Sequence, residues 1–190
     1  LFPIVQGGIF PNLRKESACS LIPYADSGMA IGGLAVGEEK NAMFETIHLM
    51  DSLLPKDQPR YLMGVGRPTD LVKSVQSGID MFDCVLPTRN ARNGQLFTSK
   101  GIINIGNKIH KESFQKLDPD CGCYTCKHFS RSYLRHLFNI KEVLGLRLAT
   151  IHNLTYYMTL METIRKNIKS ECFSSWSNAY LSEMADHKGM

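Results

Sequence analysis

The chain has 190 residues, of which 43% are hydrophobic and 21% are charged, proportions that are ordinary for a folded domain. This composition excludes a disordered or fibrous chain, and no apolar run approaches the ~20 residues that a membrane-spanning helix needs. The chain starts without a Met and inside a strand-like segment, so we expect it to be a piece of a longer protein.

Charge is unevenly distributed along the chain. Residues 1–86 carry 7 Lys and Arg against 10 Asp and Glu, whereas residues 87–150 carry 11 against 4, a net charge of +7. A basic segment of this kind is typical either of a solvated surface or of a protein that binds a phosphate-rich partner such as nucleic acid. The charge pattern leaves both interpretations open.

Short apolar runs alternate with helical patterns in the first part of the chain. Four strands are predicted, over residues 2–5, 29–35, 61–65 and 81–86, and three helices between them, over residues 11–22, 38–53 and 69–77. Thr69 is the expected cap of the third helix. This alternation predicts βαβ units and a parallel sheet, which is either half of an eight-stranded α/β barrel or a small open sheet.

The βα pattern ends near Pro87. Residues 95–109 have the pattern of a β-hairpin, and two helices are predicted over residues 127–143 and 152–168. The polar residues 171–190 predict a weakly ordered tail. The predicted organisation therefore has three parts, which are βα units over residues 1–90, a hairpin, metal-binding loop and helices over residues 91–170, and the tail.

Three of the six cysteines lie within one short loop. Cys121, Cys123 and Cys126 form a CxCxxC motif, and His152 follows 26 residues after the last of them. Three thiolates and one imidazole suit tetrahedral zinc, and four protein ligands leave no open position for water. We therefore predict one structural Zn²⁺, with His152 at the start of the next helix as the fourth ligand.

Two alternatives to this ligand set remain at the level of sequence. His128 and His136 follow the cysteine loop directly and are rivals for the fourth position, although we interpret both as surface residues. The cysteines would otherwise be free or disulfide-bonded. Clustered cysteines favour a metal site in a reducing compartment, so we predict a cytoplasmic protein.

Two carboxylates lie in the fourth predicted strand. Asp80 and Asp83 point to opposite faces because side chains alternate along a strand. Asp80 stands at the strand's entry, where a turn accommodates Asp. Asp83 lies near the end of the buried run, where a lone carboxylate is costly unless it is paired or used. Asp83 is thus a candidate functional residue, and its alternatives are an ion pair with an Arg or bonds to backbone amides.

A basic loop is predicted directly after this strand. It consists of Thr88, Arg89, Asn90, Ala91 and Arg92. Two Arg side chains three residues apart, beside Asn and Thr, can bind phosphates or base edges, and the alternative is a solvated loop. The loop is expected at the same end of the sheet as Asp83.

Five motifs, in order and spacing over about residues 1–170, resemble those of the tRNA-guanine transglycosylases. They are Val5-Gln6-Gly7-Gly8, the Gly-Gly-Leu-Ala-Val-Gly-Glu segment at 32–38, Pro-Arg-Tyr-Leu-Met-Gly-Val-Gly at 59–66, Asp-Met-Phe-Asp-Cys-Val-Leu-Pro-Thr-Arg at 80–89, and the cysteine loop with His152. The segment at 32–38 is closer to the bacterial than to the eukaryotic form.

The resemblance implies a (β/α)8 barrel with a zinc subdomain, of which this chain would supply the carboxy-terminal half. It also implies an enzyme of queuosine biosynthesis that exchanges the wobble guanine of tRNA for a 7-deazaguanine. The expected base is 7-aminomethyl-7-deazaguanine. The implied partners are the anticodon loop of tRNA, the free base and a second copy in a homodimer, without a membrane.

The resemblance also implies residue roles. Asp83 would be the nucleophile, Glu38 would support the Leu34 backbone, and Met63 would pack against the base. Further base contacts would come from Gln6, Gly33, Leu34 and Ala35. The RNA would lie along Gly64, Val65, Gly66, Arg67, Pro68, Thr69, Asp70, Thr88, Arg89, Asn90, Ala91 and Arg92. Zinc would be held by Cys121, Cys123, Cys126 and His152.

The family's amino-terminal half, which carries its general acid/base, does not match any part of this chain. We therefore expect the 190 residues alone to be inactive. In the implied reaction, Asp83 attacks C1′ of the ribose and the covalent intermediate awaits the incoming base. Two alternatives are a non-catalytic tRNA-binding subunit on the same scaffold and a zinc-stabilised scaffold module.

Overall fold

The computed structural model describes residues 1–186, which form two compact units. The first unit is Leu1–Cys84 and the second begins at Val85. The sequence placed the corresponding boundary after residue 90. Among the described residues, no helix is both long and apolar enough to cross a membrane.

A parallel sheet of four strands forms the centre of the first unit, with the spatial order β1-β2-β3-β4. Each strand is followed by a helix or by the end of the unit, as the βα pattern predicts. The elements are β1 (Ile4–Val5), α1 (Pro11–Leu21), β2 (Met29–Ile31), α2 (Lys40–Leu53), β3 (Arg60–Leu62), α3 (Pro68–Gln76) and β4 (Met81–Phe82). The predicted α/β class with a parallel sheet is confirmed.

Strand β2 is buried throughout and β3 is mostly buried, whereas the outer strands β1 and β4 each have an exposed residue. Val5, Ile31 and Leu62 are fully buried, and Met43 and Ile47 of α2 point inward as their spacing predicts. The predicted Thr69 cap is wrong, since α3 begins one residue earlier, at Pro68, with Arg67 as its N-cap. Proline suits the first helical turn because its missing N–H would have no partner there.

Strand register brings four chain segments to one edge of the sheet. Val5 pairs with Ile31, Ile31 with Leu62, and Leu62 with Phe82. The residue after each of these leaves the sheet at its carboxyl-terminal edge, and these residues are Gln6, Gly32, Met63 and Asp83. In parallel α/β sheets, ligands bind at this edge.

The second unit combines a β-hairpin with five α-helices and a short 3-10 helix (Lys108–His110) among its described residues. The hairpin is confirmed, with antiparallel strands β5 (Gln95–Thr98) and β6 (Gly101–Asn104). The helices are α4 (Leu86–Arg92), α5 (Tyr124–His128), α6 (Arg131–Asn139), α7 (Val143–Lys169) and α8 (Phe173–Asp186). Their core contains Leu96, Leu134 and Leu148 together with Cys123 and Cys126.

Helix boundaries in this unit differ from the predicted ones. The predicted helix over 127–143 is divided at Ser130, whose hydroxyl accepts a hydrogen bond from the Tyr133 amide (3.2 Å) and so starts α6. The predicted helix over 152–168 begins earlier, at Val143, so His152 lies inside α7 rather than at a helix start.

A helix, α8, occupies residues 173–186, where the sequence predicted a weakly ordered tail, and residues 187–190 lie outside the described part. Three aromatic residues on one face of this helix pack in order, with Phe173 tilted against Trp176 and Trp176 stacked on Tyr180. The Tyr180 hydroxyl also forms a hydrogen bond with that of Tyr156 on α7 (3.0 Å). The aromatic spacing of three and four residues was the sequence signal for this helix.

Candidate functional site

Gln6 and the glycines after β2 lie in close contact at the carboxyl edge of the sheet. A Cβ atom on Gly32 would lie 2.6 Å from Gln6 Nε2, and one on Gly33 would lie 2.6 Å from Gln6 Oε1. Gly33 also has a φ of 65°, a conformation that favours glycine. The Gly-Gly pair is therefore required for the Gln6 amide to lie against the backbone of the next strand.

The loop after these glycines is held by a carboxylate. Ala35 has a φ of 60°, which is uncommon for a residue with a Cβ. The amides of Ala35 and Val36 both donate to the Glu38 carboxylate, the second at 3.0 Å. The Ala35 N–H belongs to the same peptide group as the Leu34 carbonyl, so Glu38 orients that carbonyl, while the Leu34 side chain is buried.

Ionisation of Glu38 stabilises this loop. Burial would raise the pKa of Glu38, but hydrogen bonds from the backbone amides of Ala35 and its neighbours outweigh burial and lower the pKa below its usual value. A carboxylate whose pKa is lowered in the folded state contributes its full stability at pH values above its pKa in the unfolded chain. That contribution is lost as the pH falls through the lowered pKa.

Arg14 is a fully buried residue of this site that the sequence reasoning did not identify. Its guanidinium donates to the carbonyl oxygens of Gly8 (2.7 Å), Val5 (3.0 Å) and Gly32 (2.8 Å), with Gly33 at 3.5 Å. Burial lowers the pKa of Arg14, opposed by the attraction of Glu38. The sequence signal for the burial of Arg14 was weak. An arginine four residues before Ala18, which is buried, also suits an exposed helix face.

Asp83 follows β4 directly and is exposed, so the expectation of a buried carboxylate is wrong. The strand is short and ends at Phe82, which leaves Asp83 at the open edge of the sheet. Its Oδ1 atom accepts hydrogen bonds from the Tyr61 hydroxyl (2.7 Å) and the Gly64 amide (3.0 Å). These two donors hold one oxygen atom and leave Oδ2 with no hydrogen bond among the described residues.

Tyr61 is a second residue of the site that the sequence reasoning missed. Its hydrogen bond to Asp83 raises the pKa of the Tyr61 phenol, because the neighbouring carboxylate disfavours a phenolate. The phenol therefore stays a donor. Asp80, by contrast, accepts a hydrogen bond from the Arg60 amide (2.9 Å) at the other end of the strands, so its predicted structural role in the turn is confirmed.

The predicted RNA-binding residues 64–70 divide between surface and interior. Gly64 and Arg67 are exposed and Thr69 is half-buried. Asp70 is 7% exposed and accepts hydrogen bonds from Lys40 Nζ at 2.6 and 2.8 Å, which ties α3 to α2. The remaining residues, Val65, Gly66 and Pro68, are buried. Met63 is half-buried at the sheet edge.

The predicted ligand set of the second unit converges in space. The ligand atoms of Cys121, Cys123, Cys126 and His152 all lie within 4.8 Å of one another. His152 Nδ1 lies 3.4 Å from Cys126 Sγ and 3.6 Å from Cys123 Sγ. Bond lengths of roughly 2.3 Å to sulfur and 2.0 Å to nitrogen in a tetrahedral zinc site imply S···N distances of about 3.6 Å, so these residues fit a metal ion.

The rival ligands and the other cysteines lie outside this cluster. His128 and His136 are exposed, as predicted, and neither belongs to the metal-binding group. Cys19 and Cys172 are exposed and free, and Cys84 is half-buried.

Electrostatics of the cluster favour a bound cation. Hydrogen bonds from Cys121 and Cys126 lower the pKa of Cys123 far below the usual value of a thiol. Burial opposes the charged form of His152, but contacts with Cys121, Cys123 and the Phe97 carbonyl raise its pKa to about 9. A site that stabilises both a thiolate and a proton on the facing imidazole can exchange that proton for a metal ion.

Helix α7 orients His152 through its outer ring nitrogen. His152 Nε2–H donates to the Phe97 carbonyl (2.7 Å), which directs Nδ1 toward the thiols. The adjacent Asn153 is fully buried and accepts from the Phe97 amide (3.1 Å). Its Nδ2 atom donates to the carbonyls of Pro87 (2.9 Å) and Gln95 (3.0 Å). Two consecutive residues of α7 thus bind α4 and β5 beside the metal centre.

The predicted basic loop is a helix. Residues 88–92 belong to α4 because Pro87 stands in its first turn, a position where proline favours a helix. Arg89 and Arg92 are three residues apart and exposed, while Ala91 is fully buried and anchors the helix. Thr88 and Asn90 are half-buried. The two guanidinium groups thus point to solvent from a fixed backbone.

These two sites define a class of protein in which one unit is a parallel βα sheet with a carboxylate at its open edge and the other unit is built around three cysteines and one histidine. Comparison with known proteins then gives the family, because the profile described as Queuine tRNA-ribosyltransferase matches residues 1–186. The chain belongs to the queuine tRNA-ribosyltransferase family.

Individual relatives agree with the profile. The chain is 54% identical to a queuine tRNA-ribosyltransferase of Mannheimia succiniciproducens over 184 residues, which cover 97% of this chain and 48% of the relative. It is 53% identical to that of Dichelobacter nodosus, covering 96% and 50%, and 52% identical to that of Francisella tularensis subsp. tularensis, covering 95% and 49%. The chain therefore spans about half the length of these relatives.

Proposed function

We propose that the whole protein is a glycosyltransferase that exchanges the wobble guanine of tRNA for a 7-deazaguanine, with 7-aminomethyl-7-deazaguanine as the expected base in queuosine biosynthesis. The observation that carries the proposal is the Asp83 carboxylate, exposed at the carboxyl edge of the sheet and held by two donors on one oxygen. Family membership supports the same reaction.

The proposed fold of the whole protein is a (β/α)8 barrel, to which this chain contributes four strands. The parallel sheet and the position of Asp83 after a strand are consistent with a barrel, whose active site lies at that face. Because the chain spans about half the length of its relatives, we assign the proton transfer to the leaving base to a group outside these 190 residues. The chain alone is expected to be inactive.

In the proposed mechanism Asp83 is the nucleophile. Its free Oδ2 atom attacks C1′ of the ribose as guanine leaves, through an oxocarbenium-like transition state. Tyr61 and Gly64 hold Oδ1 and fix the direction of attack, and the incoming base then displaces the carboxylate with overall retention. The wobble nucleotide must leave the anticodon stack, which a single-stranded loop permits at low cost.

The proposed base site is the edge formed by the loops after β1, β2 and β3. Gln6, Gly33, Leu34 and Ala35 would contact the base through their amide groups, with Met63 packed against its ring. Glu38 would keep the Leu34 carbonyl in the orientation that reads the base, which its bond to the Ala35 amide supports. These roles are proposals that the loop geometry supports.

We propose that the metal is zinc and that it stabilises the second unit. Three thiolates and one imidazole form a closed tetrahedral set, so the ion would supply folding energy and no chemistry. The reduced thiols and the tRNA substrate favour the cytoplasm, and we expect the whole protein to be a homodimer.

RNA binding by α4 leads to a prediction about salt dependence. Replacing Arg89 with Ala should weaken tRNA binding by about tenfold at low salt and reduce the slope of log affinity against log salt by about one. The reason is that the exposed guanidinium would neutralise one phosphate. Equilibrium binding over a salt series measures both quantities.

Arg165→Ala is the matched control, because Arg165 is an equally exposed arginine on α7, outside the predicted RNA-binding residues. It should leave the salt slope unchanged. A slope that is equal in the wild type and in Arg89→Ala would contradict the proposed phosphate contact.

The proposed reaction is tested by incorporation of labelled guanine into tRNA by the whole protein. Guanine should enter a tRNA with guanine at the wobble position, and a tRNA with adenine there should accept none. Binding of tRNA without any incorporation, under conditions where the protein is folded and loaded with metal, would contradict the proposal.

A further inference from the structure

The charge of Arg14 is buried without a direct ion pair, although Glu38 attracts it from a greater distance. Its side chain is 0% exposed, and no carboxylate among the described residues forms an ion pair with it. Instead the guanidinium donates only to main-chain carbonyls. A buried charge is costly. Because all the hydrogen bonds of the buried guanidinium go to backbone carbonyls, its role is to fix the position of that backbone.

The carbonyls that Arg14 binds belong to two different loops. Val5 and Gly8 bound the loop between β1 and α1, which carries Gln6. Gly32 and Gly33 begin the loop between β2 and α2, which carries Leu34 and Ala35. One side chain thus holds together the two loops that contain most of the proposed base contacts.

The bond to Gly32 fixes the direction of one amide. In a trans peptide the C=O and N–H groups point in opposite directions, and the structure has no cis peptide bonds among the described residues. Because the Gly32 carbonyl points to Arg14, the Gly33 N–H in the same peptide group points away from Arg14. Gly33 is exposed, and its N–H has no acceptor within residues 1–186.

We propose that Arg14 is a positioning residue for base recognition, which presents the Gly33 N–H to the ring carbonyl of a 6-oxopurine. A guanine-type base supplies the acceptor that this donor lacks, and a purine without the 6-oxygen does not. Arg14 therefore contributes to the preference for guanine-type bases without touching them. This inference rests on the proposed function, because it concerns the same base site.

The test compares two purines and three proteins. Dissociation constants for guanine and for 2-aminopurine, which lacks the 6-oxygen, are measured by competition on the whole protein in the wild type, Arg14→Met and Arg60→Met. Arg60 is the control because it is also buried (4% exposed) and donates to the carbonyls of Leu54 (2.8 Å) and Pro55 (3.0 Å), at the amino-terminal end of β3, although unlike Arg14 it also forms an ion pair with Asp51.

Arg14→Met should lose about tenfold of the preference for guanine over 2-aminopurine, as expected for one misplaced hydrogen-bond donor. Arg60→Met should keep that preference even where its thermal stability falls. Arg14→Lys keeps the charge with a different donor geometry and should show an intermediate preference for guanine. If Arg14→Met does not fold, Arg14→Lys replaces it in the comparison.

Two results would overturn the inference about Arg14. Both can be distinguished from a result that contradicts the proposed function. If Arg14→Met loses affinity for both purines equally, or for neither, Arg14 does not position the donor. A loss of guanine preference in Arg60→Met as large as in Arg14→Met would show a merely structural effect. If the wild type neither prefers guanine nor incorporates it into tRNA, the proposed function itself fails.

Discussion

Replacing Asp83 with Asn should abolish base exchange, with a loss on the order of 10⁴-fold or more, as for other enzymes that lose their nucleophile. An amide cannot form the ester to C1′ that the proposed mechanism requires. The fold should survive, because an Asn oxygen can still accept from the Tyr61 hydroxyl and the Gly64 amide. Wild-type and variant proteins should therefore melt at similar temperatures.

The measurement is a denaturing gel of the whole protein mixed with tRNA. A slow band that resists denaturant should form with the wild type and be absent with Asp83→Asn. Asp80→Asn is the matched control, since Asp80 precedes the same strand and accepts from the Arg60 amide at the opposite end of the strands, and it should keep the band. A band that persists in Asp83→Asn would assign the nucleophile to another residue.

Removal of the metal should unfold the part of the second unit around the cysteine loop. Cys123 and Cys126 belong to the hydrophobic core together with Leu134 and Leu148, so the ion would lie inside the packed region. Structural zinc contributes apparent free energies of ~10 kcal/mol or more in small domains, which is comparable to the whole stability of a protein domain. Loss of the ion should therefore expose amides from β5 to the middle of α7.

Cys123→Ser tests the same point without a chelator. Hydrogen exchange should accelerate over residues 95–153 in this variant, and metal analysis should show about one ion per chain in the wild type and none in the variant. Cys172→Ser, at an exposed free cysteine, should change neither quantity. Unchanged exchange and melting after verified loss of the metal would contradict a structural role.

The sequence was informative wherever a local pattern determines the structure. Short apolar runs between helical patterns predict the parallel sheet, because residues buried on both faces must be apolar. CxCxxC with a distant His predicts the metal centre, since thiolates this close in sequence can share one ion. Asp83 was found by its position in an apolar run, although the structure shows it exposed at the strand's end.

The rest of the site depends on contacts between distant segments. Arg14 lies 18 residues from Gly32 and Tyr61 lies 22 residues from Asp83, so neither partner follows from the neighbouring sequence. Asn153 was missed for the same reason, because its bonds reach Pro87, Gln95 and Phe97 across the fold. The start of α7 at Val143 was predicted too late, and α4 was not predicted although Pro87 in its first turn is a local helix signal.

The contacts between α7 and β5 have a consequence for how this protein can evolve. His152 and Asn153 bind the carbonyl and the amide of Phe97, which are main-chain atoms that every residue except proline provides. The orientation of the imidazole therefore does not depend on the side chain at position 97, although the buried Phe97 ring packs against Tyr156 and Tyr157. Selection on the orientation of the imidazole then falls on the His-Asn pair of the helix, whereas selection on the buried strand opposite it falls on packing of the core.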